Sequence, residues 1–283
     1  MVLAGRRYRW LFTTDLAQIR SFRGSVLADV DDPRFTPAEV DLLGRDNVLA
    51  YVVTAEAAAR RYQAMGLDKP HYVIPQGVSF ASLEPGHAER VGAERRREGE
   101  LVIGYVAAWL LSEGDRDGDN PLYNVDHLLE LWQGIRSRLP FARLWLVGHA
   151  SERVRRLCGG REDILLLGRL PGGEALAHVS CFDVALYPRR VDHAPFAVKI
   201  AEYLGLGIPT VAYDLELSQI VRENGAGLLA STPTEFVDAV CELGMDPARR
   251  VAMGVSASAV GRLFDWDELA SRYEREILDT WMR

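Results

Sequence analysis

The sequence predicts an α/β protein with one complete doubly wound parallel sheet, preceded by a smaller α/β region. Three observations carry this. Continuous apolar runs such as Asn47–Thr54 and Ala142–Gly148 read as strands buried on both faces, as in parallel sheets. Most such runs lead into a stretch of helical periodicity, and strand–helix alternation marks α/β architecture. With 48% hydrophobic and 26% charged residues in 283 positions, the chain has globular composition and room for one large or two modest domains.

In the first part, Arg9–Thr13 reads as a strand or as the lead into a helix ending near Phe22. Ser25–Val30 is a strand closed by Asp31-Asp32-Pro33. Thr36 caps a helix through Leu43, with Glu39 completing a capping box. Asn47–Thr54 is a strand, Ala55–Met65 a helix stopped by Gly66, and Tyr72–Pro75 another strand. From Leu83 to Glu100 the periodicity lapses, and Glu94-Arg-Arg-Arg-Glu-Gly-Glu reads as a linker or exposed helix end. Arg95, Arg96 and Arg97 offer charge for anionic lipid, but Glu94, Glu98 and Glu100 neutralise them, so a solvated run is the first reading.

The second part is more regular. Leu101–Val106 is a strand, and Ala107–Tyr123 a long polar loop over the cleft. Asp115, Asp117 and Asp119 alternate as in a calcium loop, but the glutamate that such a loop needs at its twelfth position is missing. Asn124–Arg138 is an amphipathic helix with Val125, Leu128, Leu129 and Trp132 on one side. Strands follow at Ala142–Gly148, Asp163–Gly168, Phe182–Pro188, Pro209–Tyr213 and Gly225–Ala230, with helices at Ser151–Leu157 and Gly172–Ser180. Helices over Pro233–Leu243, Asp246–Leu263 and Trp266–Met282 close the chain. In a doubly wound sheet, ligands bind beyond the carboxyl ends of the strands. The predicted ends converge at Ala107, Gly148, Gly168–Leu170 and Pro188–His193.

The helix before the Pro209 strand has the most chemistry. Pro195 suits its first turn, Gly207 its C-terminal exit, and Pro209 forbids continuation. At about 100° per residue, Ala197, Ile200, Ala201 and Leu204 share one face, while Lys199 and Glu202 share the other. A surface ion pair is the common fate of such residues. Yet Lys199 lies in the first turns, where the macrodipole disfavours a cation unless an anion is near. The chain has only two lysines against 31 arginines, which also points to a point-charge role.

A net charge of −7 argues against general nucleic-acid binding. Cys158, Cys181 and Cys241 are widely spaced in apolar surroundings and read as reduced core residues. No run reaches the ~18 apolar residues of a membrane span, and the N-terminus lacks a signal-peptide core. The expected location is the cytoplasm, with peripheral association at the inner membrane face and homo-oligomer formation left open. No Gly-x-Gly-x-x-Gly follows a strand, which disfavours a nicotinamide oxidoreductase; no Walker loop and no persuasive nucleophile triad occur.

Lys199-Ile-Ala-Glu202-Tyr-Leu-Gly-Leu-Gly207-Ile-Pro-Thr-Val-Ala212 resembles the C-terminal signature of group 1 glycosyltransferases, the retaining GT-B family built of two Rossmann domains. The resemblance runs from about Val26 to Met282 and is strongest from Leu101 onward. It implies a GT-B-like fold and transfer of a sugar from a nucleoside-diphosphate sugar to an unknown acceptor (glycan, lipid-linked or small molecule), with no cofactor and no metal. Lys199 would contact the donor diphosphate and carry most of the catalysis, and Glu202 would bind the ribose. Ala107 and Gly148 would line the site, Arg169 and Leu170 would border the base, and Pro188 to His193 the sugar, with His193 a donor to it.

Several positions depart from that signature. Ala194 stands where the family has a sugar-contacting glutamate, which bears on sugar selectivity. Ala107-Ala108 replaces glycine and a diphosphate-binding arginine, and Tyr123 replaces a lysine, so Arg189 or Arg190 is the expected substitute cation. Val26-Leu-Ala-Asp-Val-Asp31-Asp32 resembles a strand whose end often carries a sugar-facing histidine; Asp31 stands there. Val53-Thr54-Ala-Glu56 and Tyr72-Val-Ile-Pro-Gln-Gly-Val78 resemble the end of the acceptor-side domain.

The resemblance divides the chain into a partial acceptor-side domain (1–90), a linker (91–100), a nucleotide-sugar-binding domain (101–262) and a helix (263–283) that crosses back to the first. An intact first domain needs several further βα units, so either the chain starts late or the domain is reduced. The alternative function is a catalytically inactive donor-binding or interaction module derived from a glycosyltransferase.

Overall fold

The computed structural model describes residues 9–118, 120, 124–191 and 196–281. They form two compact units. One holds the described residues up to Gln76, Phe196, and those from Asp267 onward; the other holds the remainder from Gly77 to Trp266.

The first unit has a four-stranded parallel sheet in the order β1-β2-β3-β4. Its strands are β1 (Trp10–Thr13), β2 (Ser25–Val30), β3 (Val48–Val53) and β4 (His71–Val73), with helices α1 (Pro37–Leu43) and α2 (Glu56–Ala64) between them. The ambiguous start is a strand followed by a 3₁₀ turn, Leu16–Arg20. The Thr36 capping box forms on both sides: Thr36 Oγ1 accepts from the Glu39 amide at 3.2 Å, and Glu39 Oε2 accepts from the Thr36 amide at 3.2 Å. Val26, Ala28, Tyr51, Val53 and Tyr62 are buried together in this unit's core.

The second unit begins before the expected linker. Its first helix, α3 (His87–Arg95), occupies the stretch read as a linker or exposed helix end. The tie is polar: Arg96 pairs with Asp183 at 2.5 Å, and Asp183 also accepts the Val102 amide at 2.7 Å. Arg96 is therefore a partly buried structural residue rather than one of three lipid-facing arginines. The unit boundary falls between Gln76 and Gly77, ahead of the expected 90.

Next come β5 (Leu101–Leu110), α4 (Asp126–Arg138), β6 (Ala142–Ala150), α5 (Glu152–Cys158), β7 (Ile164–Gly168), α6 (Gly172–Val179) and β8 (Val184–Tyr187). Then follow α7 (Val198–Gly205), β9 (Thr210–Tyr213), α8 (Gln219–Glu223), β10 (Gly227–Ala230), α9 (Pro233–Met245) and α10 (Pro247–Gly261). The six strands are parallel in the order β10-β9-β8-β5-β6-β7. The order reverses between β5 and β8, so the expected doubly wound sheet is present. One face packs on α4 and α9 through Leu128, Trp132, Phe236 and Val240. The other packs on α6 and α7 through Ala177, Val179 and Tyr203.

The final segment is α11 (Trp266–Arg272), a π-helical stretch Tyr273–Leu278 and α12 (Asp279–Trp281), where one helix was expected. From Asp267 it belongs to the first unit. Arg272 donates to the Val73 carbonyl at 3.0 Å, Tyr273 to Asp29 at 2.9 Å, and Trp281 to the Tyr72 hydroxyl at 2.9 Å. Burial and the nearby Asp31 push the Asp29 carboxyl up to about 6. The three cysteines are free and buried. Among the described residues no helix is long and apolar enough to cross a membrane.

Candidate active site

The strand order reverses between β5 and β8, and the carboxyl ends at such a reversal are where doubly wound sheets take ligands. The sequence puts a helix there. α7 follows β8, and its C-terminal exit is set by Gly207, whose φ of +70° suits a residue without a Cβ. Ile200, Ala201, Tyr203 and Leu204 bury α7 in the unit. Tyr203 was not among the expected inward residues, yet it fixes the helix: its hydroxyl accepts the Val106 amide of β5 at 3.1 Å. Tyr203→Phe is expected to leave that donor unsatisfied and cost about 1–3 kcal/mol, read as a fall in the urea midpoint; an unchanged midpoint would exclude this anchoring role.

Lys199 is the second residue of α7 and partly buried. Its Nζ donates to the Tyr105 hydroxyl of β5 at 3.5 Å and lies 5.2 Å from that ring's centroid. The lysine thus ties α7 to β5, one of the two strands that flank the reversal. Burial, and then the Arg189 guanidinium, pull its pKa down to about 7, against an upward pull from Glu202. Glu202, one turn on and also partly buried, is pushed up to about 7 by burial, which Lys199 opposes.

Two arginines follow β8, and the structure separates them. Arg189 donates to the Tyr187 hydroxyl at 3.2 Å, sits 5.2 Å over that ring, and hydrogen-bonds Tyr105. Arg190 instead lies near His127, whose pKa is lowered by burial and then by the Arg190 charge, and near Tyr213, whose pKa burial raises against a downward pull from Arg190. Arg189 is therefore the second cation beside Lys199. Tyr105, which sequence reasoning missed, is the hydroxyl both cations share; its place on β5, two residues before Ala107, was the available signal. Two cations at one half-buried place disfavour each other's charge, and an anion relieves both. The N-terminus of α7 adds its partial positive charge.

The other expected positions spread along the same sheet edge. Ala107 and Gly148 lie inside strands rather than at their ends, because β5 runs to Leu110 and β6 to Ala150. The extension carries a bulge: β5 takes three steps from Val106 to Trp109 where β6 takes two from Val147 to His149. At the bulge a Cβ on Gly148, whose φ is +145°, would come within 2.0 Å of the Ala107 carbonyl oxygen, so only glycine allows this approach. The polar loop therefore begins at Leu111, not Ala107. Within it Asp115 accepts from the Ser112 amide and the Ser151 hydroxyl, an anchoring role. Arg169 is exposed just after β7, Leu170 packs on the α6 side, and Pro188 follows β8 partly buried. His193, Ala194, Pro195, Asp119 and Tyr123 lie outside the described residues. Among those described, no group of three or more His, Cys, Asp or Glu could hold a metal ion.

Residues 118–246 match the family of glycosyl transferases group 1. Of the matched residues that are described, all but Phe196 lie within the second unit. No curated protein matches the sequence. Among solved structures, sucrose-phosphate synthase from Thermosynechococcus elongatus is 15% identical, covering 97% of this chain and 74% of its own, with a TM-score of 0.74. HepE of Anabaena, solved in complex with UDP-glucose, is 14% identical over 96% of this chain and 79% of its own, with a TM-score of 0.72. A UDP-forming α,α-trehalose-phosphate synthase from Burkholderia vietnamiensis is 14% identical over 95% and 72%, with a TM-score of 0.67. The two units thus share the GT-B fold of these structures.

Proposed function

We propose that this chain moves a sugar from a nucleoside-diphosphate sugar to an acceptor with retention of anomeric configuration. The observation that carries the reading is the pairing of Lys199 with Arg189 around Tyr105, with Glu202 one turn along α7. As the glycosidic C–O bond of the donor breaks, negative charge gathers on the departing diphosphate. Lys199 and Arg189 stabilise that charge from fixed positions, the commonest large contribution to catalysis. Glu202 accepts hydrogen bonds from the ribose hydroxyls. The backbone at Ala107, Gly148 and Pro188, with Arg169, Leu170 and His193, completes the donor site. No metal is needed where two cations already face the leaving group. The UDP-glucose bound to HepE supports a uridine donor as the first to try.

The test is calorimetry with UDP-, GDP- and ADP-glucose, paired with assay of nucleotide release and the anomeric configuration of any product. Tight binding with release and an unchanged anomer supports the transferase. Binding without release, across a broad acceptor panel, would instead support a donor-binding module. Failure to bind any of the three donors would overturn the donor site itself.

A further inference from the structure

The solvent face of α10 differs from those of its neighbours. α4 turns Glu130, Gln133 and Arg138 to water, and α9 turns Glu235, Asp238 and Glu242, as a surface helix should. α10 turns out Ala248, Val251, Ala252, Val255 and Ala259. Val251 is 70% and Val255 69% exposed, and no charged residue occurs from Val251 to Gly261. Met245 and Leu263, at 66% and 56%, extend the patch at its two ends. On one flank it continues into a groove of about 440 Å³ whose walls include Phe182, Leu206 and Pro209. Contiguous exposed apolar surface of this kind marks an interaction site. The opposite face of α10 is already used. It packs on α7, where a Cβ on Gly261 would come within 2.3 Å of the Gly205 amide nitrogen. The exposed face thus belongs to the helix that backs the one carrying Lys199 and Glu202.

Spacing and charge say what covers this face. Ala248, Ala252, Val255, Ala259 and Arg262 follow one another at alternating steps of four and three, the spacing of a helix-pairing seam. We propose that α10 pairs antiparallel with α10 of a second copy of this chain, about a two-fold axis at Val255. In that register Ala252 faces Ala259 of the partner subunit, and the small side chains let the two helices approach closely. Asp246, which caps α10 by accepting from the Arg249 amide at 2.9 Å, is brought to Arg262 of the partner subunit. The same contact recurs on the other side of the axis, as a two-fold requires. Leu263 comes to the partner's Met245. A parallel pairing would set Arg262 against Arg262, so charge selects the antiparallel one. A lipid surface is the poorer occupant. Helices that lie on membranes carry many basic residues beside their apolar face, and this seam offers one cation, Arg262. The net charge of −7 also opposes an anionic bilayer.

A seam one helix long lies at the small end of dimer interfaces, so the dissociation constant is expected on the order of 10 μM. The experiment is sedimentation velocity over a concentration series that spans this value. Wild type is expected to pass from monomer to dimer. Val255→Glu, which sets two carboxylates face to face on the axis, is expected to stay monomeric throughout. Asp246→Asn keeps a capping side chain but loses the charge, and is expected to weaken the dimer several-fold. Far-ultraviolet circular dichroism checks that each variant folds. Register is read by mixing Ala252→Cys and Ala259→Cys proteins under oxidation, where the mixed pair is expected to cross-link faster than either variant alone. The three native cysteines are buried and stay out of that reaction. Wild type that stays monomeric, Val255→Glu that still dimerises, or faster cross-linking within one variant overturns the pairing. Flotation with vesicles of phosphatidylcholine and phosphatidylglycerol tests the other occupant. Monomeric wild type that floats, with Val255→Glu left behind, would make this face a membrane contact and overturn the second copy. None of these outcomes depends on donor binding.

Discussion

Lys199→Met is expected to lower donor turnover by roughly 10²–10³-fold or more and, in the same protein, to raise the thermal midpoint. The two effects have one cause. The ammonium is partly buried beside Arg189, and its pKa falls from 10.5 to about 7. The folded protein thus binds the proton more weakly than the unfolded chain does. The cost to stability is fully present below pH 7 and disappears as pH rises through 10.5. A neutral side chain of similar length removes that cost. The gain is on the order of 1–2 kcal/mol, because partial exposure screens much of the shift. It should be largest at pH 7 and below, and should shrink toward pH 10.5. A scan of midpoint against pH measures it, and nucleotide release measures turnover. Wild-type turnover in the variant would remove Lys199 from the mechanism. A lower midpoint at neutral pH would show that the ammonium supports the fold.

The parts of this molecule that were legible from sequence are those that local chemistry decides. The α1 cap, the exit of α7 at Gly207 and the buried runs of β3 and β6 are each written within a few adjacent residues. Lys199 and Glu202 were legible because helical spacing alone puts them on one face. The parts that were not legible depend on distant partners. α3 looked like a linker because its tie, Arg96 to Asp183, crosses 87 positions. The extension of β5 was hidden because a bulge breaks the alternation of faces, and the residue that permits the close approach there, Gly148, is on another strand. Arg189 and Arg190 are adjacent and chemically identical. Only the fold shows that the first meets Tyr105 and the second meets His127.

Arg189→Ala is expected to weaken the donor diphosphate roughly tenfold or more at pH 6, as loss of a charge-assisted contact should. Its effect at higher pH is the sharper test. In wild type, Lys199 loses its proton near pH 7, so anion affinity declines as pH rises through that value. Glu202, whose pKa is also pushed up to about 7, adds a negative charge over the same range. Wild-type affinity should therefore fall steeply from pH 6 to pH 8.5. Removing the guanidinium takes away one of the two downward pulls on Lys199. The lysine then keeps its proton to higher pH, while Glu202 titrates in both proteins. Curves of affinity against pH for the two proteins should start well apart at pH 6 and draw together by pH 8.5. Proton uptake on binding, measured in two buffers of different ionisation enthalpy, should be smaller in the variant near pH 8. A constant gap across the range would mean that Arg189 contributes a contact but does not set the charge of Lys199. A misfolded variant would lose affinity equally at every pH, so convergence separates electrostatic coupling of the two cations from simple damage to the site.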